Sequence, residues 1–218
     1  MGDKGIDSMR AVIVGGAKIK DYEFVSSYFK ENDYFIYCDS GLIHEDRFMS
    51  MYDTSADLII GDFDSYENPN RSVETIVLPH EKDDTDSVFA IKEAIKRGFD
   101  EVLMVGVIGD RLDHGLVNVY ALIMLKENNV TGVIVDDYSE MTLLGKNTPG
   151  FVDDKWSYFS LITIAGPAKG VTIKNAKYEL DNAEITPSHQ YATSNEPIKG
   201  MVAEIDVKES YLVLIKDR

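Results

Sequence analysis

The pattern of the chain changes near residue 137, and this change constrains the fold more than any other feature. Before it, short apolar runs of strand length alternate with segments of helical periodicity; after it, strand-like segments follow one another with turns between them. Alternating strands and helices are typical of an α/β domain, whereas consecutive strands are typical of an all-β domain. We therefore expect an α/β domain over residues 9–137, followed by an all-β sandwich over residues 138–218.

The first eight residues fit neither domain. Met9 directly precedes the strand-like residues 10–16, whereas residues 1–8 lack the apolar core of a signal peptide. We expect Met9 to be the natural start of the chain and residues 1–8 to be a flexible extension.

Apolar runs place the strands, and turn residues mark their ends. In the first domain we expect strands over residues 11–14, 34–38, 58–60, 75–78, 102–105 and 133–135, and helices over residues 21–31, 85–97 and 116–125. In the second we expect strands over residues 141–144, 158–164, 171–173, 201–207 and 211–215. The apolar strands of the first domain indicate a mostly parallel sheet flanked by helices. Ligands of such sheets bind beyond the carboxyl ends of the strands.

Acidic residues stand at these strand ends. The chain has 38 Asp and Glu against 22 Lys and Arg, which gives a formal net charge of −16. This excess argues against a general nucleic-acid binder and against docking on an anionic membrane, since both need a basic surface. Because the carboxyl ends of parallel strands meet at one edge of the sheet, we expect the acids that follow them to converge there.

The segment Gly61-Asp62-Phe63-Asp64-Ser65 places two carboxylates two residues apart. In an extended segment, alternate side chains point to the same side. Two such oxygen ligands suit Mg²⁺, which commonly takes one or two protein carboxylates together with substrate phosphates. The alternative is an ordinary polar loop, because Asp and Ser favour turns.

The segment Lys82-Asp83-Asp84-Thr85-Asp86 precedes a helix. Capping and the helix dipole explain acids at this position without any further function. Lys82 is not explained in this way, and a lysine at a helix N-terminus suits a phosphate chain.

A third loop, residues 106–114, combines glycines with Arg111, Asp113 and His114. Glycines let backbone amides approach a phosphate, and an arginine can bind one with two hydrogen bonds. The alternative is a plain strand-to-helix turn with Asp113 as the N-cap. The chain has neither of the two standard phosphate-loop motifs, and acids alone would repel a polyphosphate, so a nucleotide here would need Mg²⁺ as a bridge.

Taken in order, these segments resemble the thiamine pyrophosphokinase (thiamine diphosphokinase) family. The resemblance rests on Asp39-Ser40-Gly41 and on the three segments above. It continues with Tyr178-Glu179-Leu180, which resembles a Tyr-Pro-Leu element, and Thr193-Ser194-Asn195-Glu196, which resembles a Ser-Asn-Glu element. It covers nearly the whole chain from about Met9.

The resemblance implies roles for individual residues. It implies that the first domain binds ATP and Mg²⁺ and that the sandwich helps to bind thiamine. It also implies a homodimer in which the partner's C-terminal domain completes each active site. The metal ligands would be Asp62, Asp64 and Asp86, which with Arg111 and Asp113 would be catalytic. The ATP contacts would be Asp39, Ser40, Gly41, Lys82, Thr85, Gly109 and Arg111, and the thiamine contacts would be Asp113, His114, Ser194 and Asn195.

The chain departs from the family pattern at a few positions. Asp110 stands where the family commonly has a second glycine, and Asn175-Ala176 replaces a Gly-Leu pair. Glu179 replaces the proline of the Tyr-Pro-Leu element. These changes bear on substrate preference rather than on the class of reaction.

The function that the resemblance implies is thiamine diphosphokinase, which transfers diphosphate from ATP to the hydroxyl of thiamine and releases AMP. Two alternatives stay open: another Mg²⁺-dependent phosphotransferase acting on a different small alcohol, and a non-catalytic regulator that binds nucleotide or thiamine. The single Cys38 fits a reducing compartment, and the chain has no run of about 20 apolar residues, so we expect a cytoplasmic protein without a membrane span.

Overall fold

The computed structural model describes residues 9–63, 72–79, 81 and 83–218, which divide into two compact units between Asp137 and Tyr138. The expected extension over residues 1–8 lies outside the described residues, as do two predicted site residues, Asp64 and Lys82.

The first unit contains a parallel sheet. Its strands are β1 (Arg10–Val14), β2 (Tyr34–Cys38), β3 (Leu58–Gly61), β4 (Glu74–Val77), β5 (Glu101–Val105) and β6 (Thr131–Val135). They lie in the order β4-β3-β2-β1-β5-β6, and every neighbouring pair is parallel. The central strands are almost fully buried, as their continuous apolar runs require.

Helices accompany this sheet. They are α1 (Tyr22–Ser26), α2 (Glu45–Tyr52), α3 (Asp86–Arg97) and α4 (Leu112–Glu127), and a 3₁₀ segment over Asp39–His44 leads into α2. Thr85 caps the start of α3 through its side chain, and Gly98 ends that helix in the left-handed region, with φ of 84°. A glycine there avoids the steric cost that a side chain would bring.

Two helix predictions were wrong in extent, and two helical segments were not predicted. The helix expected over residues 21–31 ends at Ser26, α4 begins at Leu112 rather than at residue 116, and neither α2 nor the 3₁₀ segment was expected. The hydroxyl of Ser26 donates to the carbonyl of Tyr22, and that of Ser27 donates to the carbonyl of Phe24. Such side-chain bonds to the backbone compete with continued helix, which accounts for the early end of α1.

The second unit is antiparallel. Its strands are β7 (Ser139–Gly145), β8 (Gly150–Val152), β9 (Tyr158–Thr163), β10 (Ala168–Lys174), β11 (Leu180–Ile185), β12 (Ala203–Asp206) and β13 (Tyr211–Asp217). One sheet has the order β7-β13-β9, and the other has the order β11-β10-β12-β8. Strands β8 and β11 were not predicted.

The two antiparallel sheets pack face to face. A Cβ placed on Gly150 of β8 would lie 2.8 Å from Leu144 of β7 and 3.0 Å from Leu214 of β13, and these two strands belong to the other sheet. This approach is closer than real side chains make, so the glycine lets the leucines fill the space between the sheets. The expected fold class, a parallel α/β sheet followed by an antiparallel β region, is confirmed.

None of the helices in the described part of the chain combines the length and hydropathy that a bilayer crossing requires.

Candidate functional site

Three carboxylates converge at the carboxyl edge of the parallel sheet. Asp39 follows β2, Asp62 follows β3, and Asp86 is the first residue of α3. One carboxylate oxygen from each lies within 4.8 Å of the others; Asp39 is buried, and Asp62 and Asp86 are half-buried. Strands β2 and β3 are parallel neighbours, so the residues that follow them necessarily lie side by side.

The backbone is shaped to bring these acids together. Asp39 has φ of 38° and Phe63 has φ of 56°, both in the left-handed region that side chains other than Asn and Asp rarely adopt. A Cβ on Gly61 would lie 2.9 Å from the Cβ of Asp39, so only a glycine permits this approach. The chain therefore accepts unusual backbone conformations at the ends of both strands, which is common at functional sites.

A cavity of about 660 Å³ opens beside the three acids, a size that suits a small-molecule ligand. Its walls come from the residues that follow β1, β2, β3 and β5 and from the first turns of α3 and α4. The lining residues are Gly15, Gly16, Ala17, Lys18, Cys38, Asp39, Ser40, Asp62, Asp84, Thr85, Asp86, Ser87, Gly106, Val107, Gly109, Asp110, Arg111, His114 and Asn118.

Glycines let two loops of this cavity touch. The amide of Gly15 donates to Val105, and the amide of Ala17 donates to Gly106 at 2.8 Å. Gly106 has φ of 62°, and a Cβ there would lie 2.5 Å from the carbonyl oxygen of Gly15. The two loops therefore form one continuous backbone wall.

A buried histidine supports the Gly15–Lys18 side of this wall. The Nε2 of His44 lies 2.9 Å from the carbonyl oxygen of Ala17, and its Nδ1 lies 2.6 Å from the hydroxyl of Tyr22. Because the Ala17 carbonyl can only accept, Nε2 carries the proton, and the Tyr22 hydroxyl donates to Nδ1. Burial lowers the pKa of His44, which is consistent with this neutral form.

Arg111 is held by its neighbour at the rim of the cavity. Its Nε donates to one oxygen of Asp113 at 3.0 Å, and its Nη2 donates to the other at 2.7 Å. Both side chains are exposed, at 69% and 64%. The hydrogen bonds from Arg111 hold the pKa of Asp113 well below its usual range, so Asp113 is ionised and is a poor proton acceptor while the pair persists.

The structure brings most of the predicted site residues of the first unit together. Asp39, Ser40, Asp62, Thr85, Asp86, Gly109, Arg111 and His114 all line the cavity, whereas Gly41 and Asp113 do not. Gly41 lies underneath: a Cβ on it would collide with the carbonyl oxygen of Val14. Asp113 lies in the first turn of α4 and does not cap it, so its interpretation as an N-cap was wrong.

Sequence reasoning missed several lining residues. Lys18 gives the cavity a second basic side chain in addition to Arg111, and Ser87 and Asn118 give it polar side chains. One signal was present in the sequence: Asn118 is a polar residue within an otherwise strongly apolar helix. Lys18 follows the turn at Gly15 and Gly16, which by itself did not indicate a ligand site.

The predicted thiamine contacts of the second unit have different surroundings. Ser194 is exposed, with φ of 54°, whereas Asn195 is buried. The side-chain Nδ2 of Asn195 donates to the backbone carbonyl of Tyr178 at 2.8 Å, and its Oδ1 accepts from the backbone amide of Tyr178 at 3.0 Å. Asn195 therefore fixes the backbone at Tyr178, whose ring is exposed.

The donor set of the acid cluster fits a hard divalent cation. Three carboxylate oxygens this close together repel one another unless a positive charge lies between them. Oxygen ligands and a small ligand number are what Mg²⁺ takes from a protein when phosphates complete its coordination. Asp39, expected as an ATP contact, is thus placed to act with Asp62 and Asp86.

Family models cover both units. One described as thiamin pyrophosphokinase, catalytic domain, matches residues 25–134, and one described as thiamin pyrophosphokinase, vitamin B1 binding domain, matches residues 151–212. The chain belongs to the thiamin pyrophosphokinase family. The family expected from the sequence is confirmed, and so is the expectation of an enzyme.

Individual members of the thiamin pyrophosphokinase family are similar over most of the chain. The thiamine pyrophosphokinase of Bacillus subtilis is 30% identical over 148 residues, which are 63% of this chain and 68% of that relative. A crystal structure of the Bacillus subtilis enzyme has a TM-score of 0.82 at 22% identity and covers 96% of this chain and 98% of its own.

Other solved structures of the family share the fold. The thiamin pyrophosphokinase of Geobacillus thermodenitrificans has a TM-score of 0.78 at 25% identity, covering 96% of this chain and 98% of its own. The thiamin pyrophosphokinase of Candida albicans has a TM-score of 0.78 at 15% identity, and the match covers 97% of this chain and 90% of the Candida chain. At such low identity the Candida likeness speaks for the fold alone.

Proposed function

We propose that this protein is a Mg²⁺-dependent thiamine diphosphokinase, which converts ATP and thiamine to AMP and thiamine diphosphate. The observation that carries the proposal is the cluster of Asp39, Asp62 and Asp86 at the wall of a ligand-sized cavity, in a chain that belongs to the thiamin pyrophosphokinase family. A cation held by these acids would let an acidic cavity accept a polyphosphate.

The reaction is a displacement at the β-phosphorus of ATP. The primary hydroxyl of thiamine forms a new bond to that phosphorus, and the bond from it to the oxygen bridging the α-phosphorus breaks. AMP leaves with the bridging oxygen, and the hydroxyl loses its proton. Phosphoryl transfers of this kind need little covalent chemistry from the protein, so positioning and charge neutralisation carry the catalysis.

Residues of this protein supply both the positioning of the substrates and the neutralisation of their charge. The loops at Gly15–Lys18 and Gly106–Gly109 present a backbone wall that a phosphate chain can approach closely. Lys18 and Arg111 add positive charge, and Arg111 is exposed enough to exchange Asp113 for a phosphate oxygen. Mg²⁺ held by Asp39, Asp62 and Asp86 would neutralise phosphate charge as it develops.

The hydroxyl proton has two candidate acceptors, Asp86 and Asp113. The hydrogen bonds from Arg111 lower the pKa of Asp113. Asp113 can therefore accept the hydroxyl proton only after Arg111 has moved to a phosphate. Ionised acids around the cavity would also attract the cationic thiazolium ring of thiamine.

Homodimerisation and a cytoplasmic location belong to the same proposal. The family resemblance supports a homodimer in which the second unit of a partner copy completes each active site, with Ser194 at the thiamine. The single buried Cys38 is compatible with a reducing compartment.

The test is a product assay with ATP, Mg²⁺ and thiamine, in which nucleotides are separated by chromatography. AMP and thiamine diphosphate should appear in equal amounts. ADP would instead indicate an ordinary kinase acting on an alcohol. Tight binding of thiamine or ATP without turnover would favour a non-catalytic regulator. Absence of both binding and turnover would exclude the diphosphokinase, the ordinary kinase and the regulator alike.

A further inference from the structure

We propose that Asn118 is a positioning residue, which fixes Asp86 of the acid cluster relative to the Gly106–Gly109 loop. The inference rests on the proposed function, because it concerns how the cation and nucleotide site is kept in shape. Asn118 lies on α4, is 3% exposed and reaches the cavity wall with its carboxamide.

The orientation of this carboxamide follows from its partners. The Nδ2 of Asn118 lies 2.9 Å from the carbonyl oxygen of Val107, which can only accept a hydrogen bond. The amide nitrogen must therefore face Val107, and the amide oxygen must face Ser87, whose Oγ lies 2.7 Å away. The Ser87 hydroxyl is consequently the donor in that bond.

This assignment fixes the next hydrogen bond as well. The Oγ of Ser87 lies 3.2 Å from the Oγ1 of Thr85, and the Ser87 proton is already given to Asn118. Thr85 therefore donates to Ser87, and its oxygen accepts from the amide of Val88 at 3.3 Å, where it caps α3. A directed chain of hydrogen bonds runs from the first turn of α3 through Asn118 to the loop after β5.

This series of hydrogen bonds connects two parts of the site whose relative positions must be kept constant. Ser87 is covalently next to Asp86, so fixing its side chain also fixes the turn that carries the Asp86 carboxylate. Val107 lies between Gly106 and Gly109 in the loop after β5, which also lines the cavity. Asn118 connects the two with one side chain, from a third element.

Stability alone does not explain an asparagine at this position. The other buried residues of α4 are small or apolar, namely Gly115, Ala121, Leu122 and Leu125. Hydrogen bonds between buried polar groups contribute little net stability compared with apolar groups of the same shape. What the carboxamide adds is a fixed geometry between the two loops, and supporting groups of this kind tune how tightly a metal site binds.

The test compares single and double variants by metal binding and by kinetics. Mn²⁺ binding is followed by the electron paramagnetic resonance signal of free Mn²⁺, in the presence of saturating α,β-methylene-ATP, whose bridging carbon prevents transfer. Ser87→Ala and Asn118→Leu should each raise the Mn²⁺ dissociation constant about tenfold. The double variant should be no worse than Asn118→Leu alone, because both changes break the same hydrogen bond.

Two controls separate positioning from folding. Ser87→Thr keeps the hydroxyl and should restore near-normal Mn²⁺ binding. Asn128→Ala removes another asparagine bond of α4, from Nδ2 to the carbonyl of Met124, at an exposed site outside the cavity lining, and should leave Mn²⁺ binding unchanged. In the active enzyme, Ser87→Ala should raise the Mg²⁺ concentration for half-maximal rate and leave the KM for thiamine near normal.

The outcomes are distinct. Wild-type affinity for Mn²⁺ in folded Ser87→Ala and Asn118→Leu proteins, or losses that add fully in the double variant, would overturn the role of Asn118 while leaving the proposed function intact. No Mn²⁺ binding by the wild-type protein with the ATP analogue would overturn the proposed function itself, and the role of Asn118 with it.

Discussion

Asp62 is the member of the acid cluster whose replacement is simplest to interpret, because it is half-buried and follows β3 directly. Asp62→Asn keeps the size of the side chain and removes one negative charge from the cation site. We expect kcat/KM to fall by about 10²- to 10³-fold at a fixed Mg²⁺ concentration, measured by AMP release. Raising Mg²⁺ should recover part of the loss.

Asp46→Asn is the matched control. It removes the same charge from an exposed position on α2 that does not line the cavity. It should leave the rate unchanged, so an equal loss in both variants would show that overall charge, and not the cluster, controls activity.

His44 predicts a pH dependence of stability. Burial lowers its pKa in the folded protein, so the unfolded chain binds the proton more readily. Stability should therefore fall as pH decreases through about 6.5, the ordinary pKa of histidine, and should be regained above it. His44→Gln removes this titration, so the difference in Tm between the wild-type and variant proteins should narrow as pH falls from 7 to 5.

His189→Gln is the comparison for this prediction, since His189 is exposed in the second unit. Its Tm should follow the wild-type profile throughout. A constant difference in Tm between wild type and His44→Gln would contradict a neutral buried His44.

Site residues were predictable from sequence where the residue type and its position in the chain both indicated a ligand-binding role. Asp39 and Asp62 directly follow strands β2 and β3, and the pairing of parallel strands brings such ends together. Asp86 opens the helix that follows the next strand, β4. The partners of side chains were not predictable in the same way. The contact of His44 with Ala17 and that of Asn118 with Ser87 depend on how separate elements pack, which residue types and spacing do not encode.

At the scale of elements, two glycines that both have positive φ allow a matched test of the turns between strands and helices. Gly98 ends α3 with φ of 84°, and no described atom lies within 4 Å of a Cβ placed there. Gly106 follows β5 with φ of 62°, and a Cβ there would meet the Gly15 carbonyl at 2.5 Å. Both alanine variants carry backbone strain, and only one disturbs the cavity.

We expect Gly98→Ala to lower the free energy of unfolding by about 1–2 kcal/mol, measured in urea, with an unchanged KM for ATP. Gly106→Ala should lose more stability and also raise the KM for ATP, because the Gly15 and Gly106 loops must separate. Gly98→Asn should be tolerated better than Gly98→Ala, since asparagine adopts the left-handed region more readily. Equal KM values in the two alanine variants would contradict a role for the Gly106 loop in nucleotide binding.

Elements were predictable from sequence where burial is continuous. Strand β2 has its expected bounds, and α3 covers Asp86–Arg97, where a helix over residues 85–97 was expected. Strands β8 and β11 were not predicted for different reasons: β8 has only three residues, too few for a periodic pattern to be recognised, and β11 is mostly exposed and lacks a regular alternation. Their places are set by pairing with β12 and β10 respectively.

At the scale of the whole molecule, the net charge of −16 divides into two parts. Most acids lie on the surface and keep the protein solvated, and some form ion pairs, as Glu74 and Glu93 do with Arg97. Asp39, Asp62 and Asp86 lie close together at the wall of one cavity, where a bound cation would reduce the repulsion between their carboxylates. The acidic composition therefore excludes a bare polyanion ligand and is compatible with a metal-bridged one.

The proposed homodimer with shared active sites can be tested by mixing two inactive proteins. Asp62→Asn impairs the cation site of the first unit, and Ser194→Arg places a long cation where the second unit is proposed to bind cationic thiamine. If each site combines the first unit of one copy with the second unit of another, half of the randomly exchanged dimers are mixed. Each mixed dimer has one intact site, so about a quarter of wild-type activity should return.

The control for this experiment mixes two variants that are both altered in the first unit. Asp62→Asn mixed with Asp86→Asn should recover no activity, because every site then contains one altered cation ligand. Native mass spectrometry, with one variant of each pair isotopically labelled, must show mixed dimers in both mixtures. Exchange without recovery in the first mixture would mean that each copy builds its site alone, and a Ser194→Arg protein with a normal KM for thiamine would remove Ser194 from the thiamine site.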